Sequence, residues 1–298
     1  MSLDNPIFKN EADAREYLEA IRWPDGPVCP HCGSYENVYT LNGSAHRPGL
    51  YKCAECRKQF SVTVGTLFER SHVPLHKWLL CVHLLCASKK GHSSHQIHRM
   101  IGVTYKTAWF MTHRIREAMK DPIFTSQLGG GGKVVDADET FWGNRGKQCY
   151  GARGYEHKEK IFSLVERGGK VRSFHVPSVA AKTLRPIMEE QIAADTHIVT
   201  DEAGAYTVSC DKFLSHESVK HGKGEYVRGE IHSNTIENYF SILKRGLTGI
   251  YQHVGKRHLR RYIGEFDFRY NTRDISDHER TALALRGIAG KRLLYRNS

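Results

Sequence analysis

Two short cysteine pairs, Cys29-Pro30-His31-Cys32 and Cys53-Ala54-Glu55-Cys56, constrain this chain more tightly than anything else in its sequence. Each Cys-x-x-Cys turn presents two thiolates on one side of a tight knuckle, and two knuckles together supply the four soft ligands of a tetrahedral zinc site. Gly33 suits the sharp turn after the first pair, and "YKCAECRKQF" gives the second a flanking strand. The expectation is one structural Zn2+ held by Cys29, Cys32, Cys53 and Cys56. Four thiolates close the shell and leave no open position for catalysis, so His31 and His46 are spectators. Cys81, Cys86, Cys149 and Cys210 are scattered and read as small buried hydrophobes.

The residues after the knuckles follow a helical pattern from Pro74 to Met119. "SSHQIHRMIGVTYKTAWFMTHRIREAM" offers a short helix, a turn at "IGVT" and a second helix of about fourteen residues. Ser93 or Ser94 is placed to cap the first and Thr104 the second. The second helix buries Ala108, Met111 and Ile115 and exposes Tyr105, Lys106 and Thr107 at its N-terminal end, where a helix-turn-helix meets base edges. Charge agrees: Lys89 to Arg116 holds six Lys/Arg and four His and no acid, within a chain of net charge +12. An acid-free basic stretch on amphipathic helices is the footprint of a nucleic-acid partner. No apolar run is long enough to span a bilayer, and the polar, acidic N-terminus is the opposite of a secretory signal. A cytoplasmic, nucleoid-associated protein is expected.

Four glycines at 129–132 read as a flexible joint. Beyond them "KVVDADETFWG" is a strand ending in acids, "KIFSLVERGGKVRSFHVPSV" a hairpin around Gly168-Gly169, and "AAKTLRPIMEEQIA" a helix. "THIVTDEAGAY" is a short buried strand ending at Asp201. A helix near Gly204, a short strand near "SHESVKH" and the helix of "HSNTIENYFSILKRG" complete the order βββαβαβα. That order predicts an α/β domain, a mixed sheet flanked by helices, of the ribonuclease H-like kind. Acids at the ends of two neighbouring strands and on a helix packed beside them converge on one cleft, where hard oxygen ligands suit Mg2+ or Mn2+. Asp138, Asp201 and Glu237 are the three. Asp136, on the same strand face, is an alternative to Asp138; Glu139 points to the opposite face, and Glu202 reads either as an ordinary surface acid or as a substitute for Asp201. Two cations in such a site serve phosphodiester chemistry.

"DADETFWG", "VTDEAGAY" and "HSNTIENYFSILKRGLTGIYQHVGKRHLRRYIGEFDFRYNTR" closely resemble motifs of insertion-sequence transposases of the ISXO2-like (IS1595) group. So do "CPHCGS…YKCAECRKQFSVTVGTLF" and "GVTYKTAWFMTHRIREAM". The likeness runs in order over about residues 15 to 275. It implies a zinc ribbon, a helix-turn-helix and a DDE catalytic core, in which Asp138, Asp201 and Glu237 bind two Mg2+. Lys244 matches the basic residue such enzymes carry seven positions after the glutamate. Arg145, Lys147, Arg153 and Lys158 fall in the loop over the active site. The expected DNA-contacting set is Tyr105, Lys106, Thr107, Arg114, Arg145, Lys147, Lys244 and Arg245.

The resulting division is residues 1–70 for an N-terminal helix and zinc ribbon and 71–128 for the helix-turn-helix. Residues 129–275 form the catalytic domain, and 276–298 a basic tail. The expected activity is cleavage at the terminal inverted repeats of a bacterial insertion sequence and strand transfer into target DNA. The partners are double-stranded DNA and further copies of the chain, as a homodimer or larger. A ribonuclease H-fold nuclease and a domesticated DNA-binding regulator are the alternatives.

Overall fold

The computed structural model describes residues 2–120, 126–143, 157–201, 204–218, 227–228, 231–232, 234–291 and 293. The chain divides into two compact units, one formed by Met1–Lys120 with Asp274–Ser298 and the other by Asp121–Arg273.

The first unit opens with helix α1 (Glu11–Arg22), capped by the Asn10 side chain accepting from the Ala12 amide. A three-stranded antiparallel ribbon follows, β1 (Val38–Thr40), β2 (Tyr51–Cys53) and β3 (Gln59–Phe60). Helix α2 (Leu75–Ala87) is apolar around most of its circumference and buries Trp78, Leu79, Val82 and Leu85. Pro74 at its N-cap has no side-chain oxygen to offer. The Glu11 carboxylate caps it instead, accepting from the amides of Leu75 (2.9 Å) and His76 (3.2 Å). Helices α3 (Ser94–Ile101) and α4 (Tyr105–Met119) are separated by Gly102, whose φ of +63° ends α3 in the left-handed conformation. Ser93 caps α3 and Thr104 caps α4.

The described part of the expected basic tail is folded. Residues 277–286 form helix α9 (Asp277–Arg286), opened by a Ser276/Glu279 capping box, and it packs on α2 within the first unit. His83 on α2 lies 3.1 Å from the Thr281 hydroxyl, and Arg280 donates to the Cys86 carbonyl at 2.9 Å. An acidic first turn and an apolar Ala284-Leu285 edge make this stretch a docked helix despite the arginines around it.

The second unit is a five-stranded sheet in the order β6-β5-β4-β7-β8. Its strands are β4 (Val134–Trp142), β5 (Glu159–Glu166), β6 (Val171–Val176), β7 (His197–Thr200) and β8 (Ser215–Ser218). The first three form an antiparallel meander, and β7 and β8 add in parallel beyond β4. Helices α5 (Ala181–Gln191) and α6 (Gly204–Ser209) cover one face over Val135, Ala137, Phe162, Leu164 and Ile198. Helices α7 (Asn234–Gly246) and α8 (Leu259–Asn271) cover the other over Ile161, Val165 and Val171. A short hairpin, β9 (Val227–Arg228) and β10 (Ile231–His232), precedes α7.

The glycine run is a tied loop, not a free joint. Leu128 is buried in the α5/α6 core. The Gly129 amide donates to Glu166 Oε2 at 2.8 Å and the Gly130 amide to Thr196 Oγ1 at 2.9 Å. Gly129, Gly130 and Gly132 have φ of +81°, +107° and +79°, and a Cβ on Gly129 would lie 2.1 Å from Thr196 Oγ1. The glycines serve left-handed backbone and close approach, and the boundary between units falls at Lys120/Asp121, before them.

Candidate active site and metal centre

Strand pleating separates the acids of β4. Asp136 and Asp138 point to the α7/α8 face, while Val135, Ala137 and Glu139 point to the α5/α6 face. The parallel ladder pairs Asp136 with Val199, so carrying the register two residues on brings Asp138 beside Asp201, just past the end of β7. Helix α7 reaches the same place through its apolar stripe. Ile236, Tyr239, Phe240 and Leu243 are buried against the sheet, leaving Glu237 in the first helical turn at the rim. The resulting cleft, about 160 Å³, is lined by Asp136–Asp138, Val199–Asp201, Ile236 and Glu237.

Electrostatics distinguishes the acids. Burial pushes the Asp138 carboxyl up to about 8; the charges of Glu139, Asp201 and Glu237 add to the rise, against the 2.7 Å hydrogen bond from the Glu139 amide. Asp136, though it lines the same cleft, is ion-paired with Arg167, Nε at 3.0 Å and Nη2 at 2.9 Å from Oδ1. Glu139 accepts a hydrogen bond from the Tyr206 hydroxyl beneath the sheet, and burial raises its pKa too. Arg167 and Tyr206 are contacts that sequence reading missed. Each comes from a distant segment, and no local pattern announces it.

Three carboxylates lining one cleft raise one another's cost of ionisation, and a cation joining them relieves it. The donor set, oxygen only and half-enclosed, fits Mg2+ or Mn2+, with Asp138, Asp201 and Glu237 as the groups that would hold it. Lys244 and Arg245 lie exposed in the last turn of α7, and the Arg245 guanidinium is bonded to Ser241 Oγ at 3.1 Å. Lys244 stands seven residues from Glu237, roughly 10.5 Å along the helix axis and beyond salt-bridge reach.

A second anchor of α7 also escaped the sequence. The half-buried Asp267 of α8 accepts from the Ser173 amide at 2.9 Å, the Ser173 hydroxyl at 2.8 Å and the Tyr239 hydroxyl. Burial raises its carboxyl to about 6 against these hydrogen bonds. Tyr239 lies two residues from Glu237, so this network pins the turn that carries the glutamate.

In the first unit the ligand atoms of Cys29, Cys32, Cys53 and Cys56 all lie within 4.8 Å of one another. Sγ–Sγ distances of 3.6 Å for Cys29–Cys56 and Cys32–Cys53 are near the roughly 3.8 Å edge of a tetrahedron with 2.3 Å zinc–sulfur bonds. The set fits a structural Zn2+.

On α4, Tyr105 and Lys106 are exposed and Thr107 is half-buried; Tyr105 stacks on His95 at 4.2 Å. Arg114 departs from the expected DNA-contacting set. It is buried at 7% exposure, stacks its guanidinium on Phe110 and donates through Nε to the Leu293 carbonyl at 3.1 Å. One turn of helix beyond Phe110 brings it to the core side of α4. Arg145, Lys147, Arg153 and Glu202 lie outside the described residues.

The family profile described as ISXO2-like transposase domain matches residues 127–271, the stretch that carries all three acids. A second, described as transposase zinc-ribbon domain, matches residues 9–59 and includes the four cysteines. An uncharacterized protein in transposable element ISH50 of Halobacterium salinarum is 31% identical over 278 residues, 88% of this chain and 91% of that protein. The chain belongs to the ISXO2-like transposase family. As a transposase it is a DNA-processing enzyme, and the acid cleft and the zinc ribbon fall in the two parts that the family profiles match. An uncharacterized transposase-like protein of Haemophilus influenzae is 29% identical over 106 residues, 36% of this chain and 85% of that protein. No solved structure matches the chain. Among the described residues no helix is long and apolar enough to cross a membrane.

Proposed function

We propose that this transposase is a DDE-type enzyme that cleaves the ends of its element and joins them to target DNA at the Asp138, Asp201 and Glu237 cleft. The observation that carries the reading is the convergence on one cleft of a carboxylate from the middle of β4, one just past the end of β7 and one from the first turn of α7. The strand order β6-β5-β4-β7-β8, three antiparallel and two parallel, is that expected of a ribonuclease H-like core. Bound divalent cations would supply charge neutralisation and activation of the attacking hydroxyl.

The chain's own residues do the positioning. Asp138, Asp201 and Glu237 hold the reacting phosphate's counter-charge in place, while Arg167 keeps Asp136 out of the ligand set. In the first step a water oxygen attacks the phosphorus at the element end, the bond to the 3′ oxygen breaks, and a 3′-hydroxyl is released. In the second, that hydroxyl attacks a target phosphodiester, and the target's own 3′ oxygen leaves. Bonds made and broken balance at each step, and no covalent protein intermediate is needed. Lys244, beyond reach of Glu237, holds a phosphate near the cut.

The zinc ribbon and the α3–α4 pair, as a helix-turn-helix, read the terminal repeats through Tyr105, Lys106 and Thr107, with phosphates giving affinity and base edges giving register. Holding two ends together calls for a homodimer or larger assembly, and such an enzyme works at the nucleoid. Asp138→Asn, Asp201→Asn and Glu237→Gln should each reduce cleavage and strand transfer on an end-containing duplex by about a thousandfold or more while DNA binding persists. Full activity in Asp201→Asn would overturn the assignment.

A further inference from the structure

A second cavity, about 420 Å³, opens in the catalytic unit where β5 begins and β6 ends. Basic side chains line it from separate segments: Lys158 and Lys160 from the start of β5, the latter's ammonium donating to the Lys158 carbonyl at 3.2 Å, Lys256 and Arg260 from the approach to α8 and its first turn, and the His175 imidazole from β6. The acid in its lining is Glu159, which sits between two of them, Oε1 3.3 Å from Lys256 Nζ and Oε2 2.7 Å from His175 Nε2. Lys256 is 75% exposed even so. A solvated basic face would spread its charges outward; here they converge on a concavity already shaped to contact a carboxylate, a small anion built into the chain.

Its place relative to the acid cleft is set by the ladder. Asp138 pairs with Ser163, and four residues further along β4, Trp142 pairs with Glu159. Strand rise puts the cavity about 14 Å beyond Asp138, at the same end of the sheet as the end of β7 and Asp201. One DNA strand carries a phosphate every 3.4 Å or so along the duplex axis, so about four nucleotides span that gap.

We propose that this cavity binds the phosphodiester backbone of DNA about four nucleotides from the bond reacting at the acid cleft. The inference rests on the transposase reading of that cleft. Glu159 occupies part of the site in the free protein, and incoming phosphate displaces it from Lys256.

The test is the affinity of the full-length protein for an end-containing duplex, followed by fluorescence anisotropy over a salt series. Lys256→Ala/Arg260→Ala should lessen the slope of log affinity against log salt by about 1.8, two lost phosphate contacts, with an unchanged melting temperature. Glu159→Gln removes the competing charge and should tighten binding several-fold, a direction that a damaged fold would not give. Wild-type binding with the slope unaltered in the double variant overturns the cavity proposal alone. A wild-type protein that binds no duplex even at low salt overturns the transposase reading and this proposal with it. Inorganic phosphate that shields Lys256 from acylation while leaving duplex binding intact would make this a small-anion site, and also overturns the proposal.

Discussion

Asp136 and Asp138 share one strand face, yet their surroundings give them opposite tasks. Arg167 ion-pairs with Asp136, which is 1% exposed. Removing the guanidinium would strand a buried carboxylate. Arg167→Ala should therefore lower stability by about 2–3 kcal/mol, read from the urea midpoint, and an unchanged midpoint would show the pair to be idle. The sequence names Asp138 with Asp136 as the alternative, and it cannot show the partner of Asp136, because Arg167 is 31 positions away. The zinc cysteines are the contrary case. Their spacing is local, the knuckle geometry follows from it, and the four sulfurs stand where that spacing puts them.

At the scale of elements, α7 was legible because its stripe repeats at helical spacing, and the helix indeed buries Ile236, Phe240 and Leu243. The Ser173–Tyr239–Asp267 network that fixes it was not, since it joins β6, α7 and α8 across the fold. The glycine run shows how composition misleads: four glycines suggest slack, whereas the backbone is bonded to Glu166 and Thr196. Glu166 also pairs with Lys133 at 2.9 Å. Burial alone would raise its carboxyl, but the Gly129 amide and Lys133 hold it below the ordinary glutamate range. A depressed folded-state pKa contributes stability above the unfolded value, and that contribution disappears as pH falls through the folded one. Glu166→Gln should thus cost about 1 kcal/mol near neutral pH, a cost that shrinks as pH falls below the ordinary glutamate range and vanishes once the folded-state carboxyl is protonated, measured by urea unfolding at each pH. A cost independent of pH would place the effect in packing instead.

For the whole molecule, the chain leaves its N-terminal unit at Lys120, builds the acid-bearing unit and returns at Asp274. A charge count over the C-terminus suggests a tail; the capping box and the Ala284-Leu285 edge make it a helix of the first unit. Truncation after Arg273 should therefore strip hydrogen-exchange protection from the amides of α2 while those of β4 to β7 keep theirs. Retained protection in α2 would mean that α9 is dispensable there.

By itself the sequence determined whatever depends on residues close along the chain: the four-cysteine cluster, the α3–α4 caps, and the strand and helix order; it expected the first strand to end in its acids, whereas β4 runs on to Trp142. Tertiary structure decided which charged group meets which. It put Arg167 on Asp136, Tyr206 on Glu139 and Arg114 in the interior, and it gathered the cations around Glu159. The physical reason is range. Periodicity and capping act within a few residues, whereas a carboxylate's partner is chosen by where the sheet and its helices bring distant segments together.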